Sequence, residues 1–358
     1  MTLNGDKPVT RRDFLKATCT VTAFGLSPFR KTREVPVEGK RNPGKWGYVD
    51  QRGNMTISPH FDRAGSFREG LACATSRNLS GYIDRTGGWA ITPRFDAGGA
   101  FGEGLAPVMK GDRWGFIDRK GHIVIEPQFE YASPFDQGLA EVKKSGVSAN
   151  LIDASGRMVF EPPPAFYGLS EGLAVAIDRE GYFFVDRQGD KMFDRTFDLA
   201  LPFSEGMAVI VFDNNRRGFI DRCGTVLTKS HWCGCGSVSE GLAVVVTKEN
   251  NCSHMYGYID KIGNTAIECR FDDARDFASG VAPVRQGDRW ALIDAQGTIK
   301  TPYKFEWVGR RNEGLASAMA DGKWGFVDVS GTFVVPPRYA SVYGFSEGLA
   351  AVKDCPES

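Results

Sequence analysis

No stretch of this chain has convincing helical periodicity, and the short signatures of common catalytic sites are missing. There is no glycine-rich phosphate loop, no Gly-x-Ser-x-Gly elbow and no His-Glu-x-x-His pair, so no motif supports nucleotide, serine-hydrolase or zinc-protease chemistry. Net charge is absent as well, with 44 Lys+Arg against 44 Asp+Glu. The balance is uneven along the chain. Residues 1–33 hold seven Lys/Arg and two Asp/Glu, leaving 37 basic against 42 acidic residues afterwards. A slightly acidic body argues against nucleic acid as the main partner. Hydrophobic content of 42% is ordinary for a folded chain, and 43 glycines point to many turns.

What is present is a unit of about 34 residues, cleanest from Gly104 to Gly138. A Glu-Gly-Leu-Ala mark, or a close variant, recurs with Gly at 70, 104, 138, 172, 206, 241, 280, 314 and 348. An Asp-x-x-Gly mark recurs with Asp at 50, 84, 118, 153, 186, 221, 260, 294 and 328. Asp to the next marker Gly spans 20 residues in eight copies and 19 in the fourth; Gly to the next marker Asp spans 14, 14, 15, 14, 15, 19, 14 and 14. Nearly all the length variation lies in one half of the unit. That half reads as two short strands around a tip, as in Leu105–Val108, Gly111-Asp112 and Trp114–Asp118. Asp-x-x-Gly makes a second turn, and a third run such as Ile123–Ile125 stops at Pro127. Each copy is thus a three-stranded meander plus a return segment.

Two aromatic slots accompany the marks. Trp46, Trp114, Tyr182, Tyr256, Trp290 and Trp324 lie four residues before the marker Asp. Phe61, Phe95, Phe129, Phe197, Trp232, Phe271, Phe305 and Tyr339 lie eleven after it. A stripe of this kind can stack on sugars, but at fixed spacing in a repeat it is more often core. The Ala of Glu-Gly-Leu-Ala occurs in all nine copies, which implies a tight position. A lone meander cannot bury its apolar face, so neighbouring copies must share one.

Lys45-Trp46-Gly47-Tyr48-Val49-Asp50, Arg113-Trp114-Gly115-Phe116-Ile117-Asp118 and Lys323-Trp324-Gly325-Phe326-Val327-Asp328 resemble the WG (or KWG) repeat of bacterial proteins, as do the Pro-x-Phe and Glu-Gly-Leu-Ala marks downstream. The resemblance covers roughly residues 44–353. Ser80-Gly81, Ala149-Asn150, Tyr182-Phe183 and Arg217-Gly218 depart from the Trp-Gly pair, which speaks against that pair as a functional site. The resemblance implies a β-rich repeat array with a binding or structural role, and no catalytic residues.

Residues 1–33 read as an address. Thr10-Arg11-Arg12-Asp13-Phe14-Leu15-Lys16 resembles the twin-arginine export signal, with Arg11, Arg12, Phe14 and Leu15 as its core, and an apolar stretch from Ala17 to Phe29 follows. That stretch is too short to span a membrane as an ordinary helix. The signal would contact the membrane only during export. Residues 34–43 read as a linker, 44–353 as the repeat domain and 354–358 as a tail.

Cys223, Cys233, Cys235, Cys252 and Cys269 fall in the two least regular copies, beside His231 and His254. In an exported chain the reading is disulfide chemistry within this cluster, ahead of free thiols and of a zinc site, whose spacing the cysteines do not match. The repeated carboxylates, such as Glu69, Glu103 and the marker aspartates, read as turn residues. A catalytic pair is needed once, a turn in every copy. One carboxylate per turn is also a poor calcium cage. No metal or cofactor is expected.

The fold expected is all-β, a tandem array of about nine meanders, with an open or partly closed solenoid favoured over a ring-closed, propeller-like arrangement. The function expected is that of an exported, non-enzymatic, protein-binding or structural scaffold in the periplasm or cell envelope. A binder of cell-wall carbohydrate through exposed aromatics is the alternative, and an enzyme in the Cys-rich copies comes third. Binding is expected at the variable tips, with Arg77, Asn78, Lys144, Asn214, Asn215, Lys248, Asn250 and Asn251 as candidates.

Overall fold

The computed structural model describes residues 44–144, 150–159, 165–212, 216–227, 232–248 and 254–355. Among them there is no helix, and the strands fall into nine separate antiparallel sheets. These are the blades of a propeller arrangement, numbered one to nine by first strands that begin at Arg63, Ala97, Tyr131, Ala165, Leu199, Gly234, Asp273, Trp307 and Ser341. Blade two shows the regular form: Ala97–Gly98, Leu105–Lys110, Arg113–Asp118 and Ile123–Phe129, hydrogen-bonded in that order.

The return segment expected from sequence is therefore a strand. What makes it one is the Glu-Gly pair, in which both residues have positive φ: 54° and 77° at Glu69-Gly70, 54° and 82° at Glu103-Gly104. Positive φ at both central residues is the I′ turn pattern, whose twist matches that of the flanking strands. All nine copies repeat it, with Gln137 and Ser279 standing in for Glu in two.

At the other connection the marker Asp closes an Asx-type turn. Asp118 Oδ1 accepts from Lys120 N at 2.9 Å and His122 N at 2.8 Å, while Gly121 N donates to the Asp118 carbonyl at 2.9 Å. The same bonds recur at Asp50, Asp84, Asp153, Asp186, Asp221, Asp260, Asp294 and Asp328.

The glycine of the Trp-Gly pair has a separate cause. The fourth strand bulges opposite it, pairing Ile125 with Phe116 but Phe129 with Trp114. A Cβ on Gly115 would sit 2.4 Å from the Ile125 carbonyl and 2.7 Å from Pro127 N. Gly47, Gly81, Gly257 and Gly325 face the same crowding, and these five belong to the five four-stranded blades: nine, one, two, six and eight. Blades three, four and seven carry Asn150, Phe183 and Ala291 there and have three strands, the fourth reduced to isolated bridges. In blade seven the Thr301 hydroxyl takes the Leu292 N–H that the displaced strand leaves, at 3.0 Å. Blade five keeps Gly218 with three strands, and residues 228–231 after it lie outside the described segments.

The ring is closed, contrary to the open array favoured from sequence. Blade nine takes its first two strands from Ser341–Val342 and Leu349–Lys353, and its last two from Trp46–Asp50 and Met55–Phe61. The joint is five rungs, from Trp46↔Lys353 to Asp50↔Leu349. Pairing the termini hides two sheet edges that an open array would leave exposed.

Neighbouring blades share their cores, as the meander argument requires. A third-strand aromatic of one blade packs on a Phe that lies between the first strand and the Glu-Gly turn of the next: Tyr48–Phe67, Tyr82–Phe101, Phe116–Phe135, Phe184–Phe203 and Tyr258–Phe277, each with ring centroids 4.9 Å apart, and Phe326–Phe345 at 4.6 Å. The repeated Ala is buried in all nine copies. Trp46 and Trp290, and seven of the eight later aromatics, are buried; the other slot aromatics are half-buried. The stripe is core.

A second joint runs around the turns. The Glu69 carboxylate accepts from Gly104 N, Glu103 from Gly138 N, Glu171 from Gly206 N, Glu205 from Gly241 N, Glu240 from Gly280 N, Glu313 from Gly348 N and Glu347 from Gly70 N. Each bond links one blade to the next, and the last crosses the closure. Because consecutive turns touch one another round the ring, the first strands form its inner edge.

Candidate interaction surfaces

Antiparallel alternation sorts the connections onto two faces. The Glu-Gly and Asp-x-x-Gly turns share one face. The tips between second and third strands share the other with the crossings from each fourth strand to the next blade. The turn face is nearly uniform, with seven of nine joints between consecutive Glu-Gly turns tied by a carboxylate. Cations just after the marker Asp add exposed pairs to the turn carboxylates: Arg85–Glu347 and Arg119–Glu69 at 3.8 Å, Arg222–Glu171 at 3.5 Å and Lys261–Glu205 at 3.0 Å. Such surface pairs add little stability each.

The tip face varies. Its hairpins are braced from the crossings, where an acid accepts from a tip N–H: Asp62 from Arg77 at 2.7 Å, Asp96 from Gly111 at 2.7 Å, Asp272 from Gly287 at 2.6 Å and Glu306 from Gly322 at 3.1 Å. Arg77 and Asn78 are exposed with φ of 52° and 66°, and Lys144 is exposed. Lys248 ends a second strand. Asn214, Asn215, Asn250 and Asn251 lie outside the described residues, as do the export-motif residues Arg11, Arg12, Phe14 and Leu15.

The cysteines expected to cluster are spread between the faces. Cys223 is exposed in the Asp221 turn, on the turn face, where its N–H donates to Asp221 Oδ1. Cys233 is exposed at a crossing, its N–H bonded to the Val246 carbonyl at 2.9 Å. Cys235 is buried with Val238 and Val245, and burial pushes its thiol up to about 12. Cys269 packs half-buried against the same core. These four are free thiols in the structure, and Cys252 lies outside the described residues. Among the described residues no group of three His, Cys, Asp or Glu side chains is placed to hold a metal ion.

One joint departs from the repeat in a way the sequence reading did not single out. Four residues before each turn glycine, on the inner edge, seven blades carry Ser66, Ala100, Pro134, Gly168, Pro202, Ser237 and Gly344. Blades seven and eight carry Asp276 and Arg310. Here the repeated aromatic pair becomes Leu292 and Arg311, and the linking Glu becomes Ser279. Arg311 is 7% exposed; its guanidinium donates to the Gly314 carbonyl at 2.8 Å and the Asp328 carbonyl at 3.1 Å, while its Nε has no partner. Burial holds the Asp276 carboxyl above its usual range, opposed by Arg310.

Beside these residues Arg275 lies between two indoles, 3.7 Å from the Trp307 ring centroid and 4.6 Å from that of Trp290. The two indoles meet edge to face at 5.8 Å. Trp307 is 36% exposed, and Tyr343, stacked on Trp46 at 5.1 Å in blade nine, is 45% exposed. They are the exposed large aromatics among the described residues, and neither belongs to the two repeated aromatic slots.

A eukaryotic initiation factor superposes with a TM-score of 0.56 at 11% identity, over 77% of this chain and 87% of that one. A computationally designed protein, Ika8, gives 0.42 at 10% identity over 83% and 97%. BamB from Moraxella catarrhalis gives 0.41 at 10% identity over 88% and 98%. Identities this low speak to the fold alone. No curated protein matches the chain. The WG containing repeat model matches residues 46–79, 81–114, 114–147, 182–215, 256–290, 290–324 and 324–354, passing over the irregular copies around Asp153 and Asp221. Spanning more than half of the sequence, those seven matches make this chain a member of the WG containing repeat family.

Proposed function

We propose that the protein is an exported, non-enzymatic scaffold of the bacterial cell envelope that binds protein partners through its tip face. The observation that carries this reading is the contrast between the faces. Seven of the nine joints between consecutive Glu-Gly turns on one face are tied by Glu-to-Gly bonds. The tips on the other are braced at the base but vary in length and side chain, as binding loops on a rigid frame do. The Arg11-Arg12 motif ahead of an apolar stretch supports export through the twin-arginine route.

The test joins both halves of the proposal. Arg11→Lys with Arg12→Lys should leave the protein in the cytoplasm. Photo-crosslinkers placed at Arg77 and Lys144 in the exported protein should each trap a defined envelope protein, and shortening the Val246–Met255 tip to a Gly-Asp turn should reduce capture without moving the melting temperature. Unchanged export of the double variant would overturn the export reading. Capture indifferent to every shortened tip would overturn the tip reading.

A further inference from the structure

In a repeat protein the residues that recur hold the frame, and an exposed residue type that occurs once is there for something the frame does not need. By that measure the inner edge at blades seven and eight stands apart. It alone places two opposite charges, Asp276 and Arg310, where the other seven blades keep small or neutral residues. It also carries an indole that is more than one-third exposed, at a position where Ala97, Ala165, Gly234 and Ser341 stand in four of the other blades and the half-buried Tyr131 is the one other aromatic.

We propose that this joint is a saccharide-binding site, with the Trp307 indole as the stacking surface and Asp276 with Arg310 as the hydrogen-bonding edge. Three observations select a sugar ring over a charged partner. An acidic peptide would face Asp273 and Asp276, and a basic one Arg275 and Arg310, so like charge would penalise either. Sugar hydroxyls both donate and accept, and an adjacent guanidinium and carboxylate offer one of each. The indole is held from behind by Arg275 at 3.7 Å and at its edge by Trp290 at 5.8 Å, so little side-chain freedom remains to be lost on binding.

The site lies on the inner edge, away from the tips, and stands or falls independently of the tip reading. The repeated aromatics are core and take no part. Trp307 begins a strand paired along its length, and Asp276 lies between two strands that pair without it, so conservative variants at these positions should fold.

Intrinsic Trp fluorescence of the full chain would be titrated with cellohexaose, maltohexaose and hexa-N-acetylchitohexaose, with hexaglutamate and hexalysine alongside. At least one saccharide should give a saturable change. Trp307→Ala should weaken it at least about tenfold, Trp307→Phe by much less, and Asp276→Asn or Arg310→Gln about tenfold, all at unchanged melting temperature. Calorimetry replaces fluorescence for the Trp307 variants. Shortening the Val246–Met255 tip should leave the titration as it was. Three results would overturn the proposal: no saccharide binds, saccharide binding is indifferent to Trp307→Ala in a folded variant, or the only saturable ligand is one of the two peptides.

Discussion

The Trp-Gly glycine shows how one missing carbon sets a blade. A Cβ at position 115 or 325 would stand 2.4 or 2.3 Å from a fourth-strand carbonyl, on backbone that cannot rotate away. Gly115→Ala should therefore cost about 1–3 kcal/mol, read as a lower urea midpoint with the fourth strand of blade two exchanging its amides faster. Ala291→Gly, where the strand is already displaced, should do far less. Equal losses at the two sites would contradict the crowding argument. The marker aspartates give a pH prediction. A hydroxyl bond from Thr86 to Asp84, and one from Ser330 to Asp328, lowers each carboxyl despite the contrary pull of desolvation. Depressed folded values mean stabilisation that is complete above the ordinary carboxylate pKa of about 4 and is lost as pH falls below it. A melting temperature flat from neutrality to about pH 5 and falling below pH 4 is expected, with Asp84→Asn flattening part of the fall. An acid limb starting near pH 6 would point to other groups.

At the level of strands and turns, much was legible and the gap has a specific cause. The tip hairpin and the Asp-x-x-Gly turn use residues whose turn chemistry is well defined, Gly-Asp and Asp with Gly three residues on. From sequence the Glu-Gly turn does not show as a hairpin and its first strand reads as a return segment, because Glu is an unusual choice for positive φ where Asn, Asp or Gly is expected. The structure supplies the reason: the Glu103 side chain leaves its own turn to accept from Gly138 N of the next blade at 2.7 Å. Backbone strain of one residue is offset by a joint between blades. Glu103→Gly should relieve the strain and yet lower stability by about 0.5–1.5 kcal/mol through the lost charge-assisted bond, less than in a dry site because the carboxylate is exposed. A variant more stable than the parent would show that strain, not linkage, dominates. The Phe pairing between blades is not legible in the sequence either, although Phe recurs three residues before the turn glycine in six copies. Its partner lies in the next blade, outside any single unit. In the sequence Asp276, Arg310 and Trp307 stand only as departures from repeat positions, whose place on the inner edge belongs to the folded ring.

Whether a repeat array closes depends on the small rotation between neighbours, which accumulates over nine copies and is written in no one of them. The sequence offered both outcomes, a Trp-Gly strand at one end and a Glu-Gly-Leu-Ala strand at the other. The five-rung pairing of Trp46–Asp50 with Leu349–Lys353 is the outcome the structure has. Around it, Ser346 Oγ donates to the Phe67 carbonyl at 2.7 Å and Asp354 N to the Lys45 carbonyl at 3.0 Å. Closure is the claim on which the inner edge, the two faces and the proposed sites all depend. It is tested most directly by one distance, measured by pulsed electron spin resonance between labels at Arg77 and Asp354, introduced through an encoded ketone amino acid so that the cysteines are untouched. In the closed ring the labels sit on the tips of adjacent blades, and a single narrow distribution centred below about 30 Å is expected. In an open array eight sheet-to-sheet spacings of about 10 Å would separate them, so a population centred near about 80 Å would contradict the account.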